Sequence, residues 1–265
     1  MIIPSGAWCK RNEGDKRNMA IDLKQLKMSK AKAPRILIHG GEGVGKTTFA
    51  CGAPAPVVID LEAGLGTLEV PHVRPDTYTD VLDMIQSLTE QEHGFKSVII
   101  DSLDALESMI TTETCREKGW TSIAQKKWGE GYSERSAMWA PFWTALDRLR
   151  DTRNMIIILV AHSHVEKVED PMLPTFDKMT LNLYKKETAK AIEWPDVVGY
   201  AKIVTYTRTE GERNLAATAG ERVLLTTSNP AYTAKTRYPM PEEMPLQWSE
   251  FVQYLRTPTP TKEEN

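Results

Sequence analysis

The chain has 265 residues, a charged fraction of 26%, an apolar fraction of 41% and a formal net charge of −3. That composition is ordinary for a soluble globular protein and leaves room for one full α/β core. It excludes a global positive field, so any nucleic-acid contact must come from local basic segments. The longest apolar run, "MIIILVA", falls far short of the ~20 residues that span a bilayer, and no signal-peptide pattern opens the chain. Cys9, Cys51 and Cys115 form no C-x-x-C pair, which suits reduced thiols and a cytoplasmic location.

In chain order, the first 35 residues carry nine Lys/Arg against three acids with little apolar periodicity. They predict a flexible basic arm over residues 1–33. "EGDKRNMAIDL" would also suit an upstream ribosome-binding sequence read as protein, with Met19 in place of Met1 as the start. "RILIH" (35–39), "PVVID" (56–60), "SVIID" (97–101) and "MIIILVAH" (155–162) are short apolar runs typical of strands covered on both faces. A brief helix is expected from Lys46, stopped by Gly52 and Pro54. "YTDVLDMIQSLTEQ" (78–91) sets Val81, Met84, Ile85 and Leu88 at helical spacing, and "LDALESMITTE" continues as a helix. "MWAPFWTALDRL" (138–149) puts Trp139, Phe142, Trp143 and Leu146 on one face, as core. Later, "MTLNLYKKETAKAIEW", "VVGYAKIVTYT" and "ERVLLTT" read as short strands joined by hairpins, and "TPTPTKEEN" as a loose tail over 257–265. The pattern predicts an α/β domain over 34–256: a mostly parallel central sheet with helices on both faces and a C-terminal antiparallel β extension.

The densest chemistry is "LIHGGEGVGKTTFA" (37–50). Gly40-x-x-x-x-Gly45-Lys46-Thr47 fits the phosphate-binding loop pattern, and it follows a predicted strand and opens a helix. Glycines let Gly40, Gly41, Glu42, Gly43, Val44 and Gly45 wrap a phosphate with their N–H groups turned inward, and the helix start adds partial positive charge. Lys46 is expected on the β- and γ-phosphates, the Thr47 hydroxyl on Mg²⁺, and Thr48 at the helix start. The second Mg²⁺ contact should be an acid closing another apolar strand, which Asp101 does. Ser102 follows Asp101 where many such ATPases carry a glutamate, so "VVIDLEAG" is the alternative source of a base: Glu62 would orient the attacking water, with Asp60 held by the strand end. No N-K-x-D stretch selects guanine, so ATP is the expected nucleotide.

"GGEGVGKTT", "VVIDLEAG" and "VIIDSLDAL" together resemble the RecA-type recombinase ATPases, and more closely the compact phage RecA-like ATPases of the Sak single-strand annealing group. "WGEGY" (128–132), "LVAHSH" (159–164) and "AKTRYPMP" (234–241) extend the resemblance from about Ala33 to Leu255. It implies a RecA-like core and a γ-phosphate sensor at the end of the fourth strand, here His162. It also implies a homo-oligomer with the nucleotide between protomers, located in the bacterial host cytoplasm if phage-encoded. "AKTRYP" resembles the Lys-x-Arg element by which RadA-type enzymes and ring helicases reach a neighbour's nucleotide. Lys235 and Arg237 would fill that role, although Thr236 and Tyr238-Pro239 depart from the pattern.

Two segments interleave cations with aromatic groups, as single-stranded DNA binding requires. "QKKWGEGYSER" (125–135) offers Lys126, Lys127, Trp128, Tyr132 and Arg135 on a stretch made mobile by glycines. "NLYKKETAK" (182–190) offers Tyr184, Lys185, Lys186 and Lys190 near a hairpin. The expected function is ATP hydrolysis coupled to single-stranded DNA binding and annealing or strand exchange, with a single-strand-binding protein as a further partner. A ring helicase or translocase, and a non-catalytic nucleotide-regulated binding protein, are the alternatives.

Overall fold

The computed structural model describes residues 31–126, 129–210 and 213–255, and side chains outside 207–219. Nearly all of them belong to one compact unit that starts at Lys32. The expected basic arm up to residue 30, the tail from 256, and Lys127 and Trp128 lie outside the described residues.

The first half alternates strand and helix: β1 (Arg35–Gly40), α1 (Lys46–Cys51), β2 (Pro56–Asp60), β3 (His72–Val73), α2 (Tyr78–Glu90), β4 (Ser97–Asp101), α3 (Leu103–Lys118), α4 (Glu130–Arg153) and β5 (Ile156–Val168). There follow β6 (Phe176–Leu181), α5 (Lys185–Glu193), β7 (Val197–Glu210), β8 (Arg213–Leu225), β9 (Lys235–Thr236), β10 (Glu243–Pro245) and α6 (Trp248–Phe251). The sheet runs β10-β8-β7-β1-β5-β4-β2-β3, with β6 on β5 and β9 on β7. From β7 to β3 every pairing is parallel. β8, β9 and β10 add antiparallel. This is the parallel sheet with an antiparallel extension that the strand pattern predicts.

Alternation along the buried strands divides the core in two. Leu37, Val57, Ile59, Val98, Ile100, Ile157 and Leu159 face α2, α3 and α4. Ile36, Ile38, Val58, Ile99, Ile158 and Val160 face Phe49 of α1 and Trp248 and Phe251 of α6. Helices therefore cover both faces, and the central strands are fully buried, which is why they read as unbroken apolar runs. The helix ends follow local chemistry. Thr77 and Asp80 form a reciprocal capping box on α2, the Ser102 side chain caps α3, and Gly119 ends α3 in a left-handed conformation. No helix among the described residues is long and apolar enough to cross a membrane.

Three expectations need correction. α4 starts at Glu130, eight residues before its apolar face begins, so Tyr132 and Arg135 sit on a helix and not on a mobile loop. Gly131 is buried there. A Cβ on it would stand 2.1 Å from the Ile123 carbonyl oxygen, so this glycine permits close packing and not mobility. "KKETAKAIE" forms α5, so Lys185 and Lys186 occupy a first helical turn and not a hairpin. Glu187 and Ala191 are its buried positions, flanked by buried Leu183 and Trp194, and the buried glutamate hides the stripe. β5 runs to Val168 because β6 pairs with its distal half.

The amino-terminal edge of the sheet is locked by one carboxylate. Asp196, just before β7, accepts from the Arg35 backbone N–H at 3.0 Å and the Arg35 guanidinium at 3.1 Å. It also accepts from Arg150 at 3.2 Å and Arg237 at 2.8 Å. Burial pushes its pKa up, but the Arg35 bonds and charges outweigh that and hold it below the usual range. A depressed pKa gives stability that is whole above the ordinary carboxylate range (about 4) and is lost as pH falls through the lowered value. Asp196→Ala removes the carboxylate that three guanidinium groups share, the Arg35 and Arg150 side chains among them largely buried, and urea titration is expected to show a loss of about 3–5 kcal/mol at pH 7. A loss below about 1 kcal/mol would contradict the lock. At the opposite edge, a Cβ on Gly40 would sit 2.3 Å from the Ala201 carbonyl oxygen. Gly40→Ala must push β7 from β1, and thermal melts are expected to show destabilisation of about 1–3 kcal/mol; an unchanged melting temperature would refute the close approach.

Candidate nucleotide site

The loop from Gly40 to Gly45 leaves the carboxyl end of β1, between β5 and β7, where open α/β sheets hold ligands. Gly43 and Gly45 adopt positive φ of 66° and 101°, a conformation that side chains with a Cβ resist. Their turns bend the chain round Lys46, which is buried. Its Nζ donates to the Gly40 carbonyl at 3.1 Å and the Gly41 carbonyl at 2.9 Å. Burial lowers its pKa, while Asp101, Asp104, Glu62 and Glu42 pull it back up. α1 has only six residues. Its macrodipole is accordingly short, which leaves the loop amides as the main donors toward an anion there.

Asp101 closes β4 directly across from Asp60 at the end of β2 and Val160 in β5. The Thr47 hydroxyl donates to Asp101 Oδ2 at 2.6 Å. Burial raises the Asp101 pKa, the Thr47 bond lowers it, and the nearby Glu62 charge raises it further. A hydroxyl and a carboxylate at this distance, beside a buried ammonium and a glycine nest, form a donor set that fits a hydrated divalent cation on a phosphate.

Glu62 is placed by Asp60. The Asp60 carboxylate accepts from the N–H groups of Glu62 (3.3 Å) and Gly64 (3.2 Å), and from Arg74 at 2.9 Å. Burial raises its pKa, but Arg74 and the turn amides outweigh burial and hold it low. The strand-end role expected for Asp60 is thus a turn clamp, and Arg74 is its unforeseen partner. Glu62 Oε1 accepts from the Ser102 hydroxyl and stands 3.5 Å from His162 Nδ1. His162 is the register partner of Gly40. Its backbone N–H donates to Asp104 at 3.0 Å, and its Nδ1 lies 2.7 Å from the other Asp104 oxygen. Burial raises the Asp104 pKa, and the His162 and Ser102 bonds more than offset it. Gly43, Gly45, Lys46, Thr47, Thr48, Glu62, Asp101 and His162 line one cleft of about 460 Å³ together with Arg222. Ser102 and Asp104 escaped sequence reasoning, although "DSLD" directly after the strand held the signal. Arg222 had no local signal at all, since it arrives from β8.

Lys235 and Arg237 lie elsewhere. Lys235 Nζ donates to the Ile192 and Glu193 carbonyls at 2.7 and 2.9 Å, closing the end of α5, and Arg237 binds Asp196. Both have partners in their own chain, at the level of the sheet's amino-terminal edge.

The two segments proposed for DNA meet on one surface. Tyr132 and Tyr184 stack at 5.0 Å and 14°, and with Ser133, Ser136, Lys185 and Lys186 they line a single cleft. Lys185, Lys186 and Tyr184 are exposed. Arg135 is not free for phosphate: it is buried beneath both rings, 4.7 Å from the Tyr184 centroid, and lies 3.4 Å from Glu107 and 3.7 Å from Glu187. Those ion pairs are close without being well aligned, for two of its nitrogens lack a hydrogen-bond partner among the described residues. Lys126 packs over the Trp120 ring at 4.6 Å.

No curated protein matches the chain. Among solved structures, the crystal structure of the RadB recombinase aligns with 14% identity and a TM-score of 0.40, covering 73% of this chain and 81% of that one. A family model described as an AAA domain matches residues 32–238, and thus the glycine loop, Asp101, His162 and the aromatic surface. The chain belongs to that AAA-domain family.

Proposed function

We propose that the protein is a RecA-like ATPase that binds single-stranded DNA and promotes annealing or strand exchange in phage recombination. The observation that carries the ATPase reading is the convergence of Lys46 and Thr47, Asp101, and Glu62, from three separate segments, in one cleft. One strand, β5, separates the glycine-loop strand from the Asp101 strand, an order in keeping with a RecA-like core. The phage annealing assignment rests on the resemblance of "GGEGVGKTT", "VVIDLEAG" and "VIIDSLDAL" to the Sak group.

In this reading the loop amides and Lys46 hold the β- and γ-phosphates of ATP. Thr47 and Asp101 would hold Mg²⁺, whose charge would neutralise the phosphate oxygens. Glu62 accepts a proton from the attacking water; Ser102 and His162 fix its carboxylate, and Asp60 fixes its backbone. His162, set on Gly40 and oriented by Asp104, senses the γ-phosphate. Lys235 and Arg237 would have to break their present bonds to reach a neighbouring protomer's nucleotide, so the geometry favours a bracing role for both.

The tyrosine pair and Lys185/Lys186 would take single-stranded DNA, the ring offering a face to a base and the lysines tracking phosphates. Two readings compete with annealing. Strand displacement on a forked duplex would indicate a helicase, and nucleotide binding without turnover a regulated binder.

Glu62→Gln is expected to lower kcat by about 100-fold or more while leaving ATP affinity within a few-fold, as measured by phosphate release and calorimetry. Wild-type turnover in that variant would remove Glu62 as the base. Lys185→Glu with Lys186→Glu is expected to weaken binding of a short single strand and to reduce the log–log salt slope by about 1.4. An unchanged slope would remove this surface from the DNA site.

A further inference from the structure

Beside the phosphate cleft lies a second pocket of about 410 Å³, lined by Gly45, Thr48, Phe49, Gly52, Arg222, Leu246, Gln247, Trp248 and Ser249. That volume is within the ~300–1,000 Å³ typical of small-molecule sites. Gly45, Thr48 and Arg222 line both spaces. A ligand extending from one to the other would therefore run along Gly45, Thr48 and the Arg222 side chain.

Arg222 is set for that position by its backbone. It pairs with Ile203 of β7, and its carbonyl accepts from the Leu246 N–H at 3.0 Å, which fixes it between the hairpin and the segment entering α6. Its side chain is exposed and makes no hydrogen bond or ion pair among the described residues. Its Nη1 lies 3.1 Å from the place where a Cβ on Gly45 would stand. Gly45 thus answers two demands, a left-handed φ of 101° and room for a guanidinium. Elsewhere in this fold arginines are spent on carboxylates, as at Asp196, Glu107 and Glu113. A guanidinium with no acid among the described residues, set against a nest of main-chain amides, calls for an anion that bridges the two.

The second pocket differs in chemistry from the first. Phe49, Leu246 and Trp248 give it apolar walls, while Gln247, Thr48 and Ser249 bring one amide and two hydroxyls to its rim. Its floor is close-packed: a Cβ on Gly52 would meet Trp248 Cβ at 2.7 Å. Apolar walls with a few polar groups suit a flat heterocycle better than a phosphate chain.

Building on the nucleotide reading above, we propose that Arg222 is a nucleotide-positioning cation supplied in cis by the antiparallel extension. It clamps the polyphosphate where it crosses from the glycine loop toward the nucleoside, and the base occupies the pocket between α1 and α6. The extension then completes the nucleotide site as well as lengthening the sheet.

Calorimetry with ATP and with inorganic tripolyphosphate tests this. Arg222→Ala is expected to weaken both ligands by about tenfold or more, and Arg222→Lys to weaken them less. Ser249→Trp, which fills the pocket from its rim, is expected to weaken ATP by a similar factor and to leave tripolyphosphate unchanged. Ligand-free melting temperatures of all three variants should match wild type, since both side chains are exposed. Arg222→Ala binding ATP within twofold of wild type would overturn the clamp, and Ser249→Trp binding ATP normally would overturn the base pocket. In either case Lys46→Ala must still abolish ATP binding; a wild-type chain that binds neither ligand would sink the nucleotide reading itself.

Discussion

The arrangement depends on one buried ammonium. Lys46 sits inside its own loop, bonded to the Gly40 and Gly41 carbonyls, with no carboxylate in direct contact among the described residues. Removing such a charge from water is costly unless partners surround it. Here the compensation is spread over two carbonyl dipoles and the carboxylates of Asp101, Asp104, Glu62 and Glu42. Those acids are themselves crowded, and Asp101 is pushed toward protonation by burial and by Glu62. A lysine short of a direct counter-charge beside an acid short of a cation is a balance that the proposed metal-bound polyphosphate would resolve for both.

The same geometry joins the nucleotide cleft to the aromatic surface through the first turns of α3. Ser102 caps that helix and bonds Glu62, Asp104 holds His162, and Glu107, one turn on, accepts from the Tyr184 N–H at 3.1 Å. Glu107 also neighbours Arg135 beneath the two tyrosines. Its pKa is raised by burial against the opposing pull of Arg135. The helix start thus touches Glu62 at one end and Tyr184 and Arg135 at the other, and so joins the proposed nucleotide site to the proposed DNA platform.

Much of this was legible because the features are local. The strands read correctly because both faces of β1, β2, β4 and β5 are covered, which leaves unbroken apolar runs. The turns of the glycine loop were legible because their backbone demands show directly as residue types, with Gly43 and Gly45 at positive φ. Asp101 and Glu62 followed from strand ends. What stayed hidden was set by tertiary contact. Glu187 buried on α5 disguised a helix as strand, and the first turns of α4 bury Arg135 beside Glu107 and Glu187 instead of an apolar side chain. Arg135 looked like a free cation because its partners, Glu107 and Glu187, lie on two other helices. Lys235 and Arg237 looked unengaged for the same reason, and Arg222 reaches the loop only through the β7–β8 hairpin.

The most direct test of the central claim is phosphate release from ATP by the full chain, with and without Mg²⁺ and with and without a single-stranded oligonucleotide. The account predicts release that requires Mg²⁺, rises with the oligonucleotide and vanishes in Lys46→Ala. Release no greater than that of Lys46→Ala under every condition would contradict it.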